Sequence, residues 1–205
     1  MAIDGTQRQQ AFMSALVTEH FVLQTAASAT VSEAAGRTSL YVFSLSSSLV
    51  ALGFTSQSPQ TFRLFAAAVL PALFVLGVFT IVRLVDTGLE NQECLKGIAR
   101  IRAYYRTLTP EAAEHFSAES GRWPEPGSKP VYRSGAFLPL LTTAASMIAF
   151  INSIVAGTGV TLLANSLLDD RIDLAMGFGV AATAALMALF LAYQTSRYRS
   201  ATPAE

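Results

Sequence analysis

An all-α, polytopic membrane protein with four transmembrane helices and cytoplasmic amphipathic helices is the fold class that this 205-residue sequence predicts. Three observations carry the expectation. Thr38–Phe62, Leu64–Val82, Ser134–Leu168 and Leu174–Ser196 hold no formally charged residue, and a helix needs about 20 mostly apolar residues to cross the hydrocarbon core. Charged residues make up 14% of the chain, well short of the roughly 25% of soluble domains. The Lys and Arg residues are also unevenly shared: Arg63 and Arg171 stand alone between paired spans, and all the others fall in the termini or in the segment 83–133. By the positive-inside rule both termini and that central segment are cytoplasmic. The expected location is a membrane that the chain crosses several times.

Residues 1–37 are expected as a cytoplasmic amphipathic helix. Phe12, Leu16, Phe21, Leu23, Ala27 and Val31 recur near helical spacing, with Arg8, Glu19, Glu33 and Arg37 between them. This start lacks the basic, apolar and small-residue sections of a secretory signal, so the first span serves as its own insertion signal. Residues 38–82 form the first transmembrane hairpin. Its first span, Thr38–Phe54, is rich in serine. TSQSPQT makes the turn around Pro59, and the second span contains Pro71. Residues 83–137 are a cytoplasmic helical arm followed by a Pro/Gly loop, Ser117–Gly135. Leu84, Leu95, Ile98, Ile101, Tyr105 and Leu108 are expected on the packed face of the arm, antiparallel to the first helix. Thr109 is placed to cap a short helix, with Pro110 at its first position and Glu111 in its first turn. Residues 138–193 form the second hairpin, with spans starting near Leu138 or Pro139 and running over Leu174–Tyr193. Residues 194–205 are a cytoplasmic tail, of which SRYRSATPAE is polar and expected to fray.

The chemistry-bearing residues are few. Zero net charge argues against nucleic acid as a partner. Cys94 is the only cysteine, and His20 and His115 are the only histidines, so an internal disulfide and a four-Cys or three-His metal site are excluded. Glu111, Glu114 and His115 lack H-E-x-x-H spacing, and no second E-x-x-H accompanies them. No phosphate-binding Gly-rich loop, Ser/His/Asp set or cysteine nucleophile is recognisable, so neither an enzyme nor a cofactor is expected. No ionisable residue lies near the centre of a span, which argues against an ion-coupled transporter.

The remaining candidates are interface or gate residues. His20 is a candidate helix-contact histidine. Glu33, Arg37, Arg83, Asp86 and Glu90 cluster at the cytoplasmic boundary with spacings that suit ion pairs within or between helices. Asn152, well inside the third span, suits an interhelical hydrogen bond among the small residues Ser153, Gly157 and Gly159. Asp169, Asp170 and Asp173 with Arg171 form an acidic outer rim. Gly177, Gly179, Ala181, Ala182, Ala184, Ala185 and Ala188 concentrate small side chains on the fourth span, where close helix approach predicts a homo-oligomer. The expected partners are thus the lipid bilayer and a second copy, with no protein partner readable. The expected role is a membrane scaffold or interaction protein. The alternative is an oligomeric pore-forming or membrane-perturbing effector gated through its cytoplasmic helices.

Thr18–Phe54, TEHFVLQTAASATVSEAAGRTSLYVFSLSSSLVALGF, followed by a second hydrophobic span, resembles small multi-pass membrane proteins of bacteria, chiefly actinobacterial. That resemblance implies the bacterial cytoplasmic (inner) membrane as the location, with multiple passes, and no particular activity. The layout of residues 7–108 resembles SLATT-type transmembrane effectors of nucleotide-signalled bacterial defence: an amphipathic helix, a two-span hairpin and a cytoplasmic helix. It implies membrane perturbation as an expectation. This chain departs from that layout by adding the second hairpin.

Overall fold

The computed structural model describes residues 5–116, 141–168 and 171–201, and among them every regular element is a helix. These are α1 (Gly5–Thr55), α2 (Pro59–Tyr105), α3 (Pro110–His115), α4 (Ala144–Leu167) and α5 (Ile172–Ser200). Helices α1, α2, α4 and α5 are each long and apolar enough to cross a membrane.

Helices α1 and α2 are single elements of 51 and 47 residues. Each joins an uncharged stretch to a charged one without a break. In α1 no proline intervenes, and the one glycine at the junction, Gly36, costs only about 1 kcal/mol in a helix. In α2 the helix continues through Pro71, although proline has no N–H to give the preceding turn. The turn between them is closed by Ser56 N–H donating to Gly53 O at 3.3 Å and Ser58 N–H to Thr55 O at 3.1 Å. Helix α3 starts as its residues dictate: the Thr109 hydroxyl accepts from Ala112 N–H at 3.2 Å, with Pro in the first turn. That hydroxyl and its own backbone amide hold the Glu111 carboxyl below the usual carboxylate range, the backbone contribution being the larger.

Thr143 caps α4, its hydroxyl accepting from Ser146 N–H at 3.2 Å. The expected start near Leu138 or Pro139, the loop Ser117–Gly135, and Asp169 and Asp170 lie outside the described residues. The end of α5 corrects the sequence reading. The tail expected to fray is helical through Ser200, because Gln194 is fully buried and Arg197 reaches an ion pair.

The chain divides into two compact units. One comprises Met1–Glu33 with Thr87–Ala136. In it the two long helices run antiparallel: Phe12 meets the Tyr104 ring edge-on at 5.4 Å, Leu23 sits against Gly97, and the Thr30 hydroxyl lies 3.3 Å from Asn91 Oδ1. Ile98, Ala99 and Ile101 are buried from α2, and Ala27 and Thr30 from α1. Phe12, Phe21 and Val31, expected on the packed face, are instead exposed at 49%, 62% and 61%, as is Leu108 at 40%. Helical geometry gives the reason: Leu16, Leu23, Ala27 and Thr30 share one stripe, and Phe21 and Val31 fall outside it.

The second unit comprises Ala34–Asp86 with Phe137–Glu205. Its apolar core is Leu52, Ala66, Leu70, Leu73 and Val155, with Leu45, Phe62, Phe65 and Val69 packed on it. The antiparallel helices α4 and α5 meet through a reciprocal pair of glycines. A Cβ on Gly157 would stand 2.7 Å from Gly179 O, and one on Gly179 would stand 2.7 Å from Gly157 O. Each glycine is followed four residues later by a threonine whose hydroxyl donates back to that glycine's carbonyl, Thr161 to Gly157 O and Thr183 to Gly179 O, both at 3.0 Å. Thr183 also reaches Ser153 O across the seam at 3.2 Å.

Ile98 is 1% exposed, so Ile98→Ala should destabilise the first unit by about 2–5 kcal/mol. Leu108→Ala should stay within about 0.5 kcal/mol. The half-buried Cys94 belongs to the same unit. Thiol-modification rate in detergent, with and without each substitution, is the measurement.

Candidate functional site

The second unit contains a polar centre built from three helices. Asn152 comes from α4, Tyr41 from α1 and Phe74 from α2. Tyr41 is fully buried and Asn152 is 2% exposed. The Tyr41 phenol donates to Asn152 Oδ1 at 3.1 Å, and Asn152 Nδ2 donates to the Phe74 carbonyl at 3.3 Å. Space for the amide comes from Gly77, one turn along α2 from Phe74, where a Cβ would collide with the Asn152 amide. An aliphatic environment makes an unpaired amide costly, and here both ends of the amide are used. The arrangement holds no carboxylate, amine, imidazole or thiol. Its chemistry is that of a hydrogen-bonded lock between helices.

A second node lies at the start of α4. Gln194 of α5 is fully buried. Its Oε1 accepts from Ser146 at 3.2 Å and its Nε2 donates to Thr143 at 3.1 Å. The residue that caps α4 is therefore held by the far end of α5. Sequence reasoning missed Gln194 because it sits at the expected boundary between span and tail. Its signal was a lone amide in the uncharged run Leu174–Ser196.

Asp86 pairs with Arg197 Nη2 at 2.8 Å, joining α2 to α5. This differs from the partners expected for Asp86, namely Arg83 on its own helix or Arg37 on the first. The carboxylate also pushes the Arg197 guanidinium further toward its protonated form, the hydrogen bond being the largest contribution. Both side chains remain partly exposed, and pairs of that kind contribute little to stability. Arg37 and Glu90 are exposed, and Glu33 and Arg83 are half-buried. His20 is half-buried beside Phe21, and its Nδ1 makes no hydrogen bond among the described residues. Asp173 and Arg171 are exposed at the start of α5. Among the described residues no three His, Cys, Asp or Glu side chains come together as a metal site would require.

Gly36 and Gly77 give a matched test of the lock. Nothing lies within 4 Å of a Cβ at Gly36, so Gly36→Ala should gain up to about 1 kcal/mol from helix propensity. Gly77→Ala should instead cost about 1–3 kcal/mol by displacing Asn152, and Tyr41→Phe about 0.6 kcal/mol for the lost interhelical bond. Thermal unfolding in one detergent ranks the three. Equal effects of the two alanines would sink the assignment of Gly77 as the seat of the amide. No protein-family model, curated protein sequence or solved structure matches this chain.

Proposed function

We propose that this protein is a four-span membrane scaffold that assembles with copies of itself, with both termini and residues 83–133 in the cytoplasm and no catalytic role. The observation that carries the reading is a seven-residue repeat on α1. Thr18, Thr25, Ser32, Ser39, Ser46 and Gly53 recur every seventh residue. Ser14, Phe21, Ser28, Ala35, Val42 and Leu49 alternate with them at spacings of three and four. All twelve are exposed, and Arg8, Glu19, Glu33 and Arg37 lie outside the stripe. A sustained period of seven suits a left-handed supercoil with a partner helix, because a straight 3.6-residue helix drifts about 20° per heptad. Small residues let two backbones approach closely, and hydroxyls bond across the contact. Two copies inserted in the same orientation would pair α1 in parallel.

Helix α5 offers a second face. Gly177, Ala181, Ala184 and Ala188 are exposed along one stripe, and a side chain at Gly177 would meet nothing within 4 Å. Gly177→Leu therefore tests assembly without disturbing the protomer. In a ring of protomers the hydroxyls at Ser39 and Ser46 would suit the lining of a water-filled path, which is the specific support for the pore-forming alternative. Conductance in reconstituted bilayers separates that alternative from a silent scaffold.

With Cys94 replaced by Ser, Ser32→Cys and Ser39→Cys should give oxidised dimers. Leu40→Cys, exposed but off the stripe, should not. Mild-detergent mass measurement showing only monomer would end the scaffold reading. For topology, Cys94 in the native chain should react only from the cytoplasmic side, and Ser58→Cys only from outside. Cytoplasmic labelling at Ser58 overturns the orientation.

A further inference from the structure

Between α2 and α4 in the second unit lies a cleft of about 490 Å³, within the range of small-molecule sites. Its walls are small or apolar. Helix α2 contributes Ala67, Leu70, Pro71 and Phe74, and α4 contributes Ala156 and Gly159. The space exists because Ala67 faces it from one helix and Ala156 and Gly159 from the other. A Cβ at Gly159 would only just touch Leu70, at 3.9 Å. One end is polar: Arg63, Asn165 and Ser166 line it. Arg63 is exposed and forms no ion pair among the described residues. From Arg63 to Phe74 the α2 wall rises about 16 Å at 1.5 Å per residue. That is close to half of the roughly 30 Å hydrocarbon core.

An apolar slot one leaflet deep with an exposed guanidinium at its mouth matches one kind of occupant. We infer that the cleft holds an acyl chain of an anionic phospholipid from the non-cytoplasmic leaflet, with the lipid phosphate against Arg63. Charge complementarity selects the headgroup, and the small-residue walls select a single chain rather than a bulky ring system. The leaflet assignment rests on the orientation proposed above. The binding site itself rests on the cleft and Arg63 alone.

The test uses the full-length protein in a neutral detergent with dimyristoyl phosphatidylglycerol and dimyristoyl phosphatidylcholine as probes. Bound lipid is read by native mass spectrometry. Glycerophosphate, which has no chain, is the control for the headgroup alone. The expected result is one phosphatidylglycerol retained per chain, about fivefold in preference to phosphatidylcholine for a single cation near a headgroup, and no retention of glycerophosphate. Arg63→Gln should abolish the preference while leaving chain binding. Gly159→Phe should reduce retention of both lipids, and Ala67→Phe, filling the cleft from the opposite wall, should do the same if the first variant fails to fold. Equal retention of both lipids by the native chain, or an Arg63→Gln variant with unchanged preference, overturns the inference. If lipid binds as expected but Ser58→Cys labels from the cytoplasm, the site stands and the proposed orientation fails. If labelling is as expected and the preference is absent, the site fails alone.

Discussion

Gly157 and Gly179 bring two backbones so close that a methyl group on either would press on the other's carbonyl oxygen. In a lipid environment this approach replaces the hydrophobic effect, since lipid tails are as apolar as leucine and give helices no reason to associate. There, dispersion between close-packed backbones and a few interhelical hydrogen bonds would have to hold the second unit together. The Gly157–Gly179 seam supplies the first. Thr183, which donates to Ser153 O across the seam, supplies part of the second, and Thr161 and Thr183 each fill the space beside the glycine of the facing helix.

The other polar contacts of that unit extend the same logic to the remaining helices. Asn152 ties α4 to α1 and α2, and Gln194 ties the end of α5 to the cap of α4. The Asp86–Arg197 pair adds a link between α2 and α5 where the side chains are partly exposed. Asn152 and Gln194 are each bonded at both the amide oxygen and the amide nitrogen. This matters more than their net worth, because a half-satisfied amide inside an apolar bundle is a larger penalty than the bond is a gain. Asn152 and Gln194 thereby fix register between helices whose apolar faces alone would tolerate several.

The first unit works differently. Leu16, Leu23, Ala27 and Thr30 face Ile98 and Ile101 in a narrow stripe, leaving Phe21, Val22 and Val31 uncovered. Together with the twelve uncharged positions along α1, this leaves the helix with a long exposed stripe free of charge. The scaffold reading grows from that property, and the lipid proposal from the opposite case: an exposed charge, Arg63, beside apolar walls.

The sequence by itself determined that the chain is built of long helices and that four of them are apolar enough to cross a bilayer. Such windows depend only on local composition, and uncharged runs of this length have few other uses. It also determined the cap at Thr109 and the start at Pro110, which depend on neighbours three residues apart. Asn152 was legible as an interhelical donor because an amide in an apolar run needs a partner. Which partner it takes was decided only by tertiary structure, since Tyr41 and Phe74 are far away in the chain and nothing local marks them. The same holds for Gln194 at Thr143, Arg197 at Asp86, and the choice of Gly179 rather than Gly177 for the seam. Every seventh or fourth small residue can serve a close contact, and only the rotation of one helix against another selects which one does.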